Sequence, residues 1–245
     1  YGVNTSSISD IGRVDGLFAF KDESFNKMRI FTNNGSLKNC FDEFFKKCAS
    51  FDAVICSNDF AAVSLIRNLL KIAPDELNRL KILSCAQTKL SGYYKNMLTS
   101  VNMNFEQYGK AAVFIYEKLK AHPYMSGITV TVKWTGENEK TPQHKTVTVN
   151  NSESGYEFYA DGDMRNMLTA EQILNTCSDS DRLIIMSLIS GMTIEETAGH
   201  CFLTEGGVKY RIKRILNECK LSDKSELLTL LKDYLNPIIP KTPEL

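Results

Sequence analysis

Four cationic side chains lie within a stretch of six residues in this sequence, at Lys209, Arg211, Lys213 and Arg214. The whole chain of 245 residues carries no net charge, because 29 Lys plus Arg balance 29 Asp plus Glu. Cations concentrated on one helix mark either a solvated face or a surface that meets phosphate groups. The choice between these interpretations depends on the elements that carry the cations.

The segment around the cations has the period of a helix with one apolar side. Thr204 is placed to cap this helix, whose apolar side is predicted to hold Val208, Ile212, Ile215, Leu216 and Cys219. The opposite side holds Gly206, Tyr210, Lys213, Arg214 and Asn217, with Lys209 and Arg211 at its flanks. Such a helix fits a major groove, where long cations reach phosphates and base edges.

Two further short helices are predicted immediately before this one. The first begins after a cap at Ser178 or Asp179 and ends at Gly191, which is suited to a left-handed conformation. The second begins after Thr193, which is placed to form a capping box with Glu196. From about residue 168 to residue 235, the pattern predicts an all-helical module.

This module resembles the LuxR-type helix-turn-helix domain over about 55 residues. The similarity is carried by a helix that ends in Gly, the T-x-E-E-x-A pattern at 193–198, the pattern TEGGVKYRIKRI at 204–215, and a last helix opened by Ser225. The resemblance implies that bases are contacted by Lys209, Tyr210 and Lys213. It implies backbone contacts by Thr204, Arg211 and Arg214.

The module as a whole is not basic, since residues 168–235 hold 8 Lys plus Arg and 10 Asp plus Glu. Tight binding to double-stranded DNA is therefore expected to need two copies, as in a homodimer. Two other interpretations stay open. The cationic helix could serve packing or dimerisation with a solvated charged side, or the module could resemble a sigma factor that reads a promoter alongside polymerase.

Strand-like and helix-like runs alternate in the first part of the chain. Strands are predicted at 28–33, 51–59 and 80–87, with helices at 6–20, 36–51, 60–73 and 105–121. This alternation predicts a mainly parallel sheet covered by helices. Two runs of period two, at 127–134 and 145–151, are predicted to pair as further strands.

Three motifs in this part resemble the effector-binding domain of LacI/GalR regulators, a periplasmic-binding-protein-like fold. They are RVDGL at 13–17, FDAVICSNDFAAV at 51–63 and LTSVNMNFEQYGKAA at 98–112. The resemblance implies that Arg13 and Asn58 contact a small polar ligand, and that Asp59 caps the next helix. A surface ion pair for Arg13 and helix capping for Asn58 are the alternatives. Ala86 replaces the family's usual Asp, which argues against a typical sugar.

The predicted fold class is therefore α/β, a mainly parallel lobe followed by a small all-α helix-turn-helix domain. The resemblances imply a partial periplasmic-binding-protein-like sensing domain at 1–150, a polar linker at 151–167, the LuxR-like domain at 168–235 and an irregular tail at 236–245. The family's sensing domain has two lobes, so further sequence is expected upstream of Tyr1.

Catalytic and metal-binding patterns are not found in the sequence. The three His are far apart, and the seven Cys form no CxxC pair. We therefore expect no enzyme activity, no cofactor and no metal site. His200 is expected to be a surface or packing residue. The cysteine usage and the absence of a long apolar run predict a cytoplasmic protein without a membrane partner.

These observations predict a transcriptional regulator in which a small-molecule effector acts on the lobe and DNA binds the helix-turn-helix. The alternative is a solute-binding or protein-interaction module whose last helices only dimerise.

Overall fold

The computed structural model describes residues 1–19, 28–33, 35–132 and 160–235. The first region, called here the α/β region (1–132), contains α1 (Ile8–Ala19), α2 (Leu37–Phe45), a 3-10 turn (Cys48–Ser50), β1 (Ala53–Ile55), α3 (Asp59–Ile72), α4 (Pro74–Arg79), β2 (Lys81–Cys85), α5 (Lys89–Gly92), β3 (Thr99–Val101) and α6 (Phe105–Ala121). The second, called the helical region (160–235), contains α7 (Gly162–Thr176), α8 (Asp179–Ile189), α9 (Ile194–His200), α10 (Glu205–Cys219) and α11 (Lys224–Leu235).

The strands form a parallel sheet in the order β1-β2-β3, with Val54 opposite Ile82 and Ser84 opposite Ser100. Two extended segments continue this arrangement beyond β1. The Ser57 N–H donates to the Tyr1 carbonyl at 2.9 Å, so residues 1–3 run beside β1. Residues 28–33 follow on the far side, through a parallel bridge between Val3 and Thr32. The mixed α/β fold predicted from the alternating pattern is confirmed at this level.

Three predicted strands differ from the structure or lie outside it. Residues 28–33 form a single bridge rather than a full strand. Residues 127–132 have no strand conformation, although their apolar side chains alternate. A strand needs a neighbour to pair its backbone groups, and 130–132 lie beside α6 instead. The other predicted strand of this pair, at 145–151, lies outside the described residues, as does the tail at 236–245.

Helix α7 begins earlier than the polar composition of 151–167 predicts. Asp161 caps the helix by accepting a hydrogen bond from the Asp163 N–H, and residues 162–167 form its first turns. Met164 and Met167 are buried, so this part of the predicted linker belongs to the core. A linker is therefore the wrong description of 162–167, whereas 151–159 lie outside the described residues.

The α/β and helical regions share one hydrophobic core, in which α7 packs against α3 and α5. The acidic side chains of α7 and its cap also bond to the α/β region. The Asp161 carboxylate accepts from the Leu37 N–H at 2.7 Å, at the start of α2. Glu171 accepts from the N–H groups of Lys89 and Leu90, at the start of α5. Carboxylates satisfy the unpaired donors of both helix ends.

A polar cluster around Asp163 joins three helices of this shared core. Its carboxylate accepts from Ser64 Oγ at 2.9 Å, from Arg67 at 3.0 Å and from the Tyr234 hydroxyl at 2.8 Å. The Arg67 guanidinium also lies 3.9 Å from the centre of the Tyr234 ring. The first and last helices of the helical region are thereby fixed to α3. Among the described residues, no helix combines the length and apolar character that crossing a bilayer requires.

Candidate nucleic-acid interface

Helices α8, α9 and α10 have the caps that the sequence predicts. Gly191 follows α8 in a left-handed conformation, with φ of +95°. Thr193 caps α9 and forms a capping box with Glu196, in which each side chain bonds to the other residue's backbone N–H. Thr204 caps α10 by accepting from the Gly207 N–H at 3.1 Å. These bonds fix where each helix begins, and thus how α9 and α10 are spaced.

The turn between α9 and α10 contains an unusual residue for its conformation. Phe202 has φ of +55°, in the left-handed region where residues with a Cβ are disfavoured. The residue is 96% exposed, so packing does not compensate for this conformation. The Leu203 N–H donates to the Ala198 carbonyl at 2.9 Å and completes the tight turn.

The apolar side of α10 packs where the helical period predicts. Its buried residues are Val208, Ile212, Ile215 and Cys219. Val208 and Ile212 form a small core with Ile184, Leu188 and Ala198, which come from α8 and α9. This packing fixes α10 in rotation about its axis, because turning it would expose the apolar stripe.

The opposite side of α10 is open to solvent. This open face comprises Gly206, Tyr210, Lys213 and Asn217, all exposed, and the Tyr210 side chain is 70% exposed. Lys209, at its flank, forms an ion pair with Glu205 at 2.9 Å on the same helix. The predicted division of α10 into a packed side and an open side is confirmed for these residues. Lys213, Tyr210 and Lys209 remain accessible to a ligand of the helix.

Arg211 and Arg214 are placed differently from the other cations. Both guanidinium groups bond to the carboxylate of Asp181 in α8, at 2.9 Å and 2.5 Å respectively. Asp181 is fully buried and also accepts from the backbone N–H and the hydroxyl of Ser178. We call these four residues the Asp181 cluster. The two Arg side chains thus fasten α10 to the start of α8.

The electrostatics of the Asp181 cluster favour the ionised carboxylate. Burial raises the pKa of Asp181, but hydrogen bonds from Ser178, Arg211 and Arg214 outweigh burial and lower that pKa to about 2. Asp181 also closes a capping box with Ser178, three residues before it. The Ser-x-x-Asp spacing could have identified the box from the sequence. The ion pairs of Asp181 with Arg211 and Arg214 could not have been identified in this way, because these residues lie 30 and 33 positions further along the chain.

His200 is exposed and its Nδ1 lies 3.0 Å from the Ser187 hydroxyl, which joins α9 to α8. This contact agrees with a surface or packing role.

The predicted ligand residues of the α/β region have structural partners. Arg13 forms an ion pair with Asp10 at 2.8 Å, one turn earlier on α1. Asn58 caps α3 by accepting from the Ala61 N–H at 2.9 Å, so Asn58 and not Asp59 is the cap. Asp59 is buried and accepts hydrogen bonds from the hydroxyl groups of Ser84 and Ser100.

Arg13 nevertheless lines a cavity of about 830 Å³ between α1 and the sheet, together with Ser57. Ser57 precedes Asn58, whose amide donates to the Ser57 hydroxyl at 3.3 Å. Asn58 therefore contacts a residue of the same cavity that Arg13 lines.

Comparison of this chain with protein-family models, curated proteins and solved structures gives no match.

Proposed function

We propose that this chain is a DNA-binding transcriptional regulator. In this proposal, α9 and α10 form a helix-turn-helix, α10 enters the major groove, and the α/β region senses an effector. The observation that carries the proposal is the open face of α10, where an exposed Tyr and Lys lie opposite a buried apolar stripe.

The open face has the shape and the chemistry of a groove-binding surface. Gly206 adds no side-chain bulk near the start of α10, so the helix can approach a duplex closely. Lys213 and Tyr210 extend from the middle of the face, where they would reach base edges. Thr204 and Lys209 lie nearer the amino-terminal end, where a hydroxyl and an ammonium group suit phosphate oxygens.

The Asp181 cluster supports this function by holding the helix ready for binding. Arg211 and Arg214 are about one third exposed and retain N–H groups beside those that bond to Asp181. Each Arg can therefore face a phosphate while Asp181 fixes its position. A side chain whose rotamer is already fixed loses little conformational entropy on binding.

The charge of one module argues for binding as a dimer. Glu205 neutralises Lys209, and Asp181 neutralises one of the two Arg residues. Few unpaired cations then remain near α10, and the electrostatic part of affinity grows with each phosphate neutralised. Two copies that read two half-sites double the number of contacts.

Helix α7 provides the physical connection between effector and DNA. Its carboxylates hold the first turns of α2 and α5 and the Arg67 side chain of α3. The same helix packs against α10 and α11. A ligand that changes how α2 or α3 lies would shift α7, and with it the position of α10.

The proposal is tested by measuring affinity for a duplex. A duplex selected from a random library is titrated by fluorescence anisotropy between about 50 and 300 mM KCl, a range over which counterion release is measurable. We expect the affinity for the duplex to fall steeply as the salt concentration rises. Lys213→Ala should weaken binding about tenfold and reduce the salt slope by about 1 per bound copy.

The matched control is Lys232→Ala, which removes the same exposed charge from α11. It should leave affinity and slope near those of the unmodified protein. Failure to select any duplex, or equal losses in both variants, would contradict the proposal. Either result would favour a solute-binding or protein-interaction module whose last helices only dimerise.

A further inference from the structure

A large apolar cavity lies between α1, the 28–31 segment and β1. Its volume is about 830 Å³, and its walls include Val14, Leu17, Phe31, Phe51, Val54 and Ile55. This volume falls in the range of small-molecule sites, which are mostly apolar with a few placed polar groups.

The two walls of this cavity are not packed against each other. Among the described residues of α1, Asp10 alone is buried, although the helix has an apolar stripe. On the facing strand, the Ile55 side chain is 53% exposed. Apolar walls give water few hydrogen-bond partners, so covering them with an apolar ligand is favourable. The cavity therefore suits an apolar occupant.

The charged groups of the cavity define what the occupant carries. Among the described lining residues, Arg13 and Arg29 carry the cationic side chains and Asp10 carries the one carboxylate side chain. The Asp10 carboxylate already has partners, because it accepts hydrogen bonds from Arg13 at 2.8 Å and from the Asn4 N–H at 2.9 Å. Arg29 donates to the carbonyl of the preceding residue, Met28, at 3.0 Å. Asp10 pairs with Arg13, whereas Arg29 has no carboxylate partner among the described residues and can pair with an anion.

We propose that this cavity binds an amphipathic organic anion, a carboxylate on an aliphatic or aromatic body. The carboxylate pairs with the guanidinium of Arg29, and the body fills the space between Leu17, Phe31 and Ile55. A planar guanidinium binds a carboxylate through two parallel hydrogen bonds, which fixes the orientation of the ligand. That this ligand acts as an effector rests on the proposed function, whereas its binding does not.

Decanoate is the probe, with decanol as the uncharged analogue of equal chain length. Binding to the full chain is measured by isothermal titration calorimetry at constant ionic strength, without DNA. We expect saturable binding of decanoate with one site per chain. Arg29→Gln should weaken decanoate about tenfold and leave decanol unchanged. Arg165→Gln, the same change at an exposed position of α7, should alter neither.

A second variant tests the cavity itself. Ala53 lines it from β1, and Ala53→Phe should weaken the binding of both probes by narrowing the space beside β1. Circular dichroism identifies the variants that fold. Absence of decanoate binding to the folded protein would overturn the proposal, as would equal affinity in Arg29→Gln and Arg165→Gln. Decanoate binding without duplex binding would overturn the proposed function alone, and the reverse result would overturn this inference alone.

Discussion

Replacing Asp181 with Asn should destabilise the fold by about 2 kcal/mol at neutral pH. In the folded chain the pKa of Asp181 is lowered from 3.8 to about 2. Each pKa unit corresponds to about 1.4 kcal/mol, so the ionised carboxylate contributes about 2 kcal/mol to the free energy of unfolding. Asn keeps the size of the side chain but removes the charge that pairs with Arg211 and Arg214.

The stability difference between the two proteins should depend on pH with a defined sign. The folded pKa of Asp181 lies below its unfolded value, so its contribution is complete above about pH 4. That contribution is lost as the pH falls through about 2. About half should remain at pH 3, where the folded carboxyl is still ionised and the unfolded one is largely protonated. Asp181→Asn carries no such contribution at any pH.

Urea unfolding followed by circular dichroism at pH 7, 4 and 3 measures this difference. The matched control is Asp179→Asn, in the same helix, whose carboxylate is 96% exposed and pairs with Arg182. Its effect should stay below about 0.5 kcal/mol, as for other exposed ion pairs. Equal effects of the two substitutions would refute a stabilising role of the Asp181 charge. So would a stability loss in Asp181→Asn that does not become smaller toward pH 3.

Three further substitutions test the shared core, the turn before α10 and the packing of residues 1–3. Asp163→Asn should lower the free energy of unfolding in urea by roughly 2 kcal/mol, because it weakens the bonds to Arg67 and Tyr234. An effect under about 0.5 kcal/mol would contradict a core shared by the two regions. Phe202→Asn should raise the free energy of unfolding by about 1 kcal/mol, because Asn adopts a left-handed φ more readily and removing the exposed Phe loses no packing. A lower melting temperature would oppose this. Gly2→Ala should lower the free energy of unfolding by roughly 2 kcal/mol, because Gly2 has a φ of +72° and a Cβ there would lie 2.6 Å from the Ala61 Cβ. Unchanged thermal unfolding would refute that contact.

The local features of the helical region could be predicted from the sequence because their causes are local. Thr193 with Glu196, Thr204 and Gly191 act within one helical turn, and the apolar period of α10 follows from 3.6 residues per turn. The Asp181 cluster could not be predicted in this way. Its ion pairs join residues 30 and 33 positions apart, and only the packing of α8 against α10 brings them together.

The start of α7 shows why composition alone misplaced a boundary. Asp161 and Asp163 are polar, as linker residues are, but each bonds to a helix of the α/β region. Composition does not distinguish polar residues that face solvent from polar residues that satisfy buried donors. The same limit applies to 127–132, where alternation favours a strand but the described structure offers no strand beside it.

In the proposed function, the open face of α10 touches DNA. Photocrosslinking tests it directly, with p-benzoylphenylalanine replacing Tyr210 in α10 or, as the control, Tyr116 in α6, both of which are exposed. With a selected duplex present, we expect crosslinks to DNA from position 210 and none from position 116. Crosslinks from position 210 to a second copy of the chain, with no crosslinked DNA, would contradict it.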